Sequence, residues 1–143
     1  MLRLYKNVLC PVDFDDNSLV ALRQAAQLAL KMDAMVHLVH IIAIIPTAPE
    51  IVQSLEPQGD LSARRRLQRM ADDELVGIKH EIHTKLAFAA HIPKSILATA
   101  REIGADLVLI ATHGRSGLSH LLLGSVAEAI VRSATCPVLT IRP

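Results

Sequence analysis

The feature that most constrains this 143-residue chain is an alternation. Five short runs, apolar on both faces, are separated by segments whose apolar residues recur at helical spacing. The runs cover residues 5–12, 35–43, 82–89, 107–111 and 137–141, and the first contains Val8-Leu9-Cys10-Pro11-Val12 with no polar break. A strand with one wet face alternates apolar and polar residues. One that is apolar throughout needs cover on both sides, which is the condition of a parallel sheet wrapped by helices.

The intervening segments read as four helices. Asp15, Asp16, Asn17 and Ser18 offer caps for a first helix carrying Leu19, Leu22, Ala26 and Ala29 on one face. A second runs over about 61–77, with Leu67, Met70, Ala71, Leu75 and Ile78 inward. A third opens at Pro93, carries Ile96, Leu97, Ala100 and Ile103, and stops at Gly104. The fourth opens at Ser125-Val126-Ala127-Glu128, which has the form of a capping box. Residues 44–60, with Pro46, Pro49 and Pro57, read as a long mobile loop. Strands joined through helices cannot be hairpins, so the sheet is parallel with right-handed crossovers. The expected fold is one open, doubly wound α/β domain over residues 1–143, a Rossmann-like five-stranded parallel sheet with four helices.

Composition excludes several functions. Tyr5, Phe14 and Phe88 are the whole aromatic set, which leaves few rings for stacking single-stranded bases. A net charge of +1 gives no strong pull toward nucleic acid or anionic lipid. Cys10 and Cys136 lie far apart in apolar stretches, as buried thiols in a reducing compartment do. No run reaches bilayer length, and Asp13, Asp15 and Asp16 interrupt the start before a signal peptide could form. A cytoplasmic protein is expected.

In such sheets ligands bind beyond the carboxyl ends of the strands, where the strand order reverses. That rule points at Pro11-Val12-Asp13 and at Ala111-Thr112-His113-Gly114-Arg115-Ser116-Gly117. The second segment leaves an apolar strand and reaches Gly124-Ser125 at a helix start. Glycine amides and a helix N-terminus are what phosphate oxygens need. The alternatives are that Gly114 and Gly117 only turn the chain, and that Asp13 only caps a helix.

Ala111-x-x-Gly114, nine residues, then Gly124-Ser125 resembles the nucleotide loop of universal stress proteins, Gly-x-x-Gly-(nine residues)-Gly-Ser/Thr. The likeness extends along the chain through Val8 to Asp13, His40-Ile41, Ala105 to Ile110 and Cys136-Pro137-Val138-Leu139. It implies a strand order of 3-2-1-4-5 and binding of ATP, ADP or AMP. Pro11, Val12 and Ile41 would enclose the adenine and bond it through backbone groups. Asp13 would meet the ribose or a nucleotide-bound magnesium. Ile110, Ala111 and Gly114 would flank ribose and phosphates, with Arg115, Gly124, Ser125 and Val126 around the phosphate tail. It further implies a homodimer seam over residues 138–141 and a stress-response role exerted through a protein partner. One position departs from the pattern: Ala111 stands where ATP-binding members carry glycine, and its methyl is tolerated where the local φ is negative.

Seven histidines show no zinc spacing. His37 and His40, three apart on a strand, fall on opposite faces, and His80 and His83 share that spacing. Arg64, Arg65, Arg66 and Arg69 beside Asp72, Asp73 and Glu74 read as a solvated helix face rather than a nucleic-acid patch. Leu121-Leu122-Leu123 reads as buried against the sheet. The chain lacks Gly-x-x-x-x-Gly-Lys-Ser/Thr and Gly-x-Ser-x-Gly, so P-loop and hydrolase-elbow chemistry is excluded. Two further readings stand beside the nucleotide-binding module. One is an interaction protein of the same fold that binds no nucleotide. The other is a weak ATPase or autokinase using Asp13, Ser116 or Ser119.

Overall fold

The structure, a computed structural model, describes residues 4–44, 49–113 and 123–143, with residues 49–59 as backbone only. The element order is β1 (Asn7–Pro11), α1 (Asp16–Met32), β2 (Met35–Ile44), α2 (Pro49–Glu74), β3 (His80–Phe88), α3 (Ile92–Ile103), β4 (Leu107–Ala111), α4 (Ser125–Ser133) and β5 (Val138–Ile141). A single 3-10 turn, Ala89–His91, precedes α3. The strands are parallel in the order β3-β2-β1-β4-β5, as expected.

The two-sided apolar strands divide the core into two layers. Val8, Cys10, Val36, Leu38, Leu107 and Leu109 pack with α1 and α2, through Ala21, Leu22, Leu67 and Ala71. Leu9, Val39, Val108 and Ile110 pack with α3 and α4, through Ile96, Leu97 and Ile130. Every residue of β4 is buried, which is why its sequence carries no polar position. Burial pushes the Cys10 thiol up to about 12, so it is a small core hydrophobe with no thiolate chemistry near neutrality.

Local chemistry sets the helix ends. Asp15 caps α1, its Oδ1 accepting from the Ser18 amide at 2.7 Å. Gly104 ends α3 in the left-handed region at φ 65°. Two expectations are corrected. Residues 49–60 are not loop: α2 begins at Pro49, which as the first helical residue has no N–H to leave unpaired, and continues through Pro57. Prolines mark breaks in a sequence reading, and here the helix accommodates both. The capping box also does not form. Gly124 is the cap residue and makes no side-chain bond, Ser125 is already helical, and Glu128 pairs with Arg132 at 2.9 Å instead.

The charged face of α2 is engaged locally rather than arrayed as a patch. Arg64 pairs with Asp60, and the Arg66 guanidinium lies 4.1 Å from the Phe14 ring centroid. Leu123 packs against the α3–α4 core layer, while Leu121 and Leu122 lie outside the described residues.

Candidate functional site

The β1–β4 pairing runs through Val8↔Leu107 and Leu9↔Val108 and stops there, although β1 continues to Pro11 and β4 to Ala111. At this point the chain order reverses. From β1 it crosses through α1 on one face to β2; from β4 it crosses through α4 on the other face to β5. The two departures leave a gap beyond the strand ends, where open α/β sheets place ligands.

That gap is a cavity of about 560 Å³, within the range that holds small-molecule ligands. Pro11, Val12, Asp13, Ile41, Ile110, Ala111, Gly124, Ser125 and Val126 all line it. Gly114 and Arg115 lie outside the described residues. The cavity has an apolar part, formed by Val39, Ile41, Ile92, Ile96 and Ile110, and a polar part, formed by Asp13, Ser18, Thr112, His113 and Ser125.

Among the described residues, some backbone groups at the cavity are bonded within the protein and others are not. Val12 donates its N–H to the Val39 carbonyl at 2.9 Å and accepts from His40 Nδ1 at 2.9 Å, so its amide is committed within the protein. The bond to His40 also fixes that ring's proton on Nδ1. Ile41 sits two residues beyond Val39, so strand alternation turns its N–H and C=O to the same side, toward β1. But β1 has ended, and those groups face the cavity region. At the other wall the first intrahelical bond of α4 runs from the Glu128 amide to the Gly124 carbonyl. The amides of Ser125, Val126 and Ala127 therefore have no helical acceptor, and all three residues line the cavity. They sit at the positive end of the helix dipole. The Gly124 amide is spent on the Thr112 carbonyl.

The structure separates Asp13 from the helix-cap alternative. Asp15 is the cap; the Asp13 backbone N–H donates to Ser18 Oγ at 2.9 Å, and the residue lines the cavity. Ala111 closes β4 outside the left-handed region, since among the described non-glycine residues only Phe14 and Asp33 have positive φ. Its methyl costs no backbone strain. Asn17 Nδ2 donates to the His113 carbonyl at 3.2 Å, tying the segment after β4 to α1.

Sequence reasoning missed Ala89, Ile92 and Ile96, which wall the apolar part from the turn after β3 and from α3. In the sequence they are indistinguishable from helix core. The signal was positional: they follow a strand's carboxyl end, and the rule applied to β1 and β4 applies to β3 as well. Ser18, Val39 and His40 were missed as well, whereas Thr112 and His113 belong to the segment that the strand-end rule singled out.

Comparison with known proteins gives a consistent result. The model of the Universal stress protein family matches residues 4–142. A universal stress protein of Methanocaldococcus jannaschii is 32% identical, across 97% of this chain and 83% of its own length. A universal stress protein A homolog of Coxiella burnetii is 31% identical across 96% of each chain. Among solved structures, a protein described as hypothetical protein MJ0577 superposes with a TM-score of 0.84 at 24% identity, covering 99% of this chain and 98% of that one. The universal stress protein from Archaeoglobus fulgidus in complex with dAMP gives 0.68 at 24%, covering 99% of each. A universal stress protein in complex with cAMP gives 0.70 at 22%, covering 98% of each. These structures share the fold.

Proposed function

This chain belongs to the universal stress protein family, and on that footing we propose that it binds an adenine nucleotide, ATP in its physiological form, in the crevice between β1 and β4. The observation that carries the reading is the pairing of an apolar slot with the amide-lined first turn of α4 in one cavity. A purine needs the first and phosphate oxygens the second. Two proteins of the same fold are described as complexes with dAMP and cAMP, which supports the adenylate class.

In this reading the base lies among Val39, Ile41, Ile92 and Ile110, with Pro11 and Val12 enclosing it. The Ile41 carbonyl and N–H meet the adenine amino group and ring nitrogen. Guanine reverses that donor and acceptor order, so GTP binds more weakly. Ala111 and Ile110 flank the ribose. Gly114, Arg115, Gly124, Ser125 and Val126 surround the phosphates. Asp13 and the Ser125 hydroxyl are hard oxygen donors, the chemistry magnesium prefers, and Asp13 would hold the ion that ATP brings. Nothing in this arrangement requires hydrolysis. Occupancy of the crevice is the regulatory signal, read by a protein partner. β5 is a sheet edge with Leu139 exposed, which supports a homodimer seam over Val138–Ile141. No helix among the described residues is long and apolar enough to cross a membrane; the proposed site of action is the cytoplasm.

Isothermal titration calorimetry of the full chain with ATP, ADP, AMP and GTP tests the reading. One adenylate per chain is expected, with GTP at least about tenfold weaker, near 1.4 kcal/mol. No heat and no thermal shift at millimolar ATP would leave the interaction-protein alternative in its place.

A further inference from the structure

Away from the crevice, at the amino end of the β2–β3 seam, three side chains from two strands converge. The register pairs His37 with Glu81 and Val39 with His83, so His37, Glu81 and His83 share one face of the sheet. His37 Nδ1 lies 3.1 Å from His83 Nε2, and Glu81 Oε2 lies 3.7 Å from the first and 3.8 Å from the second. A circle through three atoms at these separations has a radius of about 2.1 Å, matching zinc–nitrogen and zinc–carboxylate bonds of about 2.0–2.2 Å.

The surroundings of His37 point the same way. Its ring is buried, and its Nε2 is 3.3 Å from Asn7 Oδ1 on β1. An amide oxygen only accepts, so the His37 proton sits on Nε2 and the Nδ1 lone pair faces His83 and Glu81. Metal-bound histidines are oriented in this way, by donating the other ring N–H to a carbonyl or carboxylate. Glu81 is largely exposed and His83 partly so, which leaves an entry path and room for water as a fourth ligand.

We propose that His37 Nδ1, His83 Nε2 and Glu81 Oε2 bind one divalent transition metal, zinc by ligand type, clipping the edge strand β3 to β2. Two imidazoles and a carboxylate suit zinc over magnesium or calcium, which take all-oxygen sets. On binding, the proton of His83 moves from Nε2 to Nδ1, and the hydrogen bond to His37 gives way to two metal–nitrogen bonds.

The test uses the untagged full chain, stripped with chelator and titrated with zinc chloride by calorimetry, with cobalt(II) as a visible-absorption probe. One zinc per chain is expected, with four-coordinate cobalt bands. His83→Ala and Glu81→Gln, checked for native circular dichroism, should each weaken zinc at least about tenfold and abolish the cobalt bands. The proposal is overturned if wild-type protein takes up no zinc at stoichiometric concentration. It is equally overturned if His83→Ala binds as tightly as wild type, which would place the ion on other histidines and leave His37–His83 as a plain hydrogen-bonded pair.

Discussion

The two ends of the β1–β4 seam are built from the same pair of strands and finish in opposite ways. At the amino end the Asp106 carboxylate accepts from the Lys6 and Asn7 amides at 2.9 and 3.0 Å, and the Asp106 amide donates to the Asn7 carbonyl at 3.0 Å. The gap is closed by protein atoms. At the carboxyl end the strands stop pairing and a cavity of about 560 Å³ opens, with the first-turn amides of α4 beside it. Both ends carry surplus backbone donors. One end supplies its own anion; in the proposed function the other meets an anion carried by the nucleotide. In the proposed function, phosphate takes at the open end the place that a carboxylate takes at the closed one.

The sharpest way to break this contrast is Gly124→Val. Gly124 has φ −67° and ψ 161°, a conformation open to any residue, so the substitution adds bulk at the cavity without backbone strain. Affinity for ATP should fall by about 100-fold or more, near 3 kcal/mol, with the fold intact. Unchanged affinity in calorimetry would mean that phosphate does not approach this helix start.

Asp106→Ala probes the closed end. Two amides lose a charged acceptor, and unfolding in urea should show about 2 kcal/mol of lost stability. Nucleotide affinity should stay as in the wild type; a parallel loss of binding would show that the two ends are coupled.

A second carboxylate supplies an acceptor in the same way, here between a helix and the sheet. Asp60 on α2 accepts from the Thr84 hydroxyl of β3 and pairs with Arg64. The Thr84 bond, then Arg64, hold its carboxyl below the ordinary 3.8. A folded value below the unfolded one contributes stability that is complete above pH 3.8 and lost as pH falls through the folded value. Thr84→Val should flatten that acid limb in denaturant melts taken between pH 7 and pH 3, and a limb as steep as wild type would remove Asp60 from the account. The smallest effect belongs to Ala111→Gly. Ala111 already has a strand conformation, so ATP affinity should hold or improve slightly while stability falls by about 0.5–1 kcal/mol. A large loss of affinity would show that the methyl itself contacts the ligand.

Much of this was legible in the sequence. Continuous apolar runs such as Leu107 to Ala111 dictate strands buried on both faces, and the helical spacing between them dictates parallel crossovers. Pro11 to Asp13 and Gly124 to Val126 were readable as cavity lining because strand ends and helix starts are themselves sequence events. Less was legible where the reading depended on a single residue type. Pro49 and Pro57 suggested a loop, but a proline at a helix start leaves no orphaned donor, and the helix absorbs the second. Ser125 and Glu128 had the spacing of a capping box, and the chain entered the helix one residue earlier than that spacing assumes.

Local patterns therefore determined the elements, their parallel sense and the end of the sheet at which to look. Tertiary structure decided which of those patterns meet. Ile92 and Ile96 became cavity wall only because α3 packs across β2, β3 and β1. His37, Glu81 and His83 became one cluster only through the β2–β3 register. Hydrophobic periodicity is a property of neighbours along the chain, so one sequence suffices to read it. Register and the meeting of distant loops are set by how whole elements pack against one another, and no short window of residues encodes that.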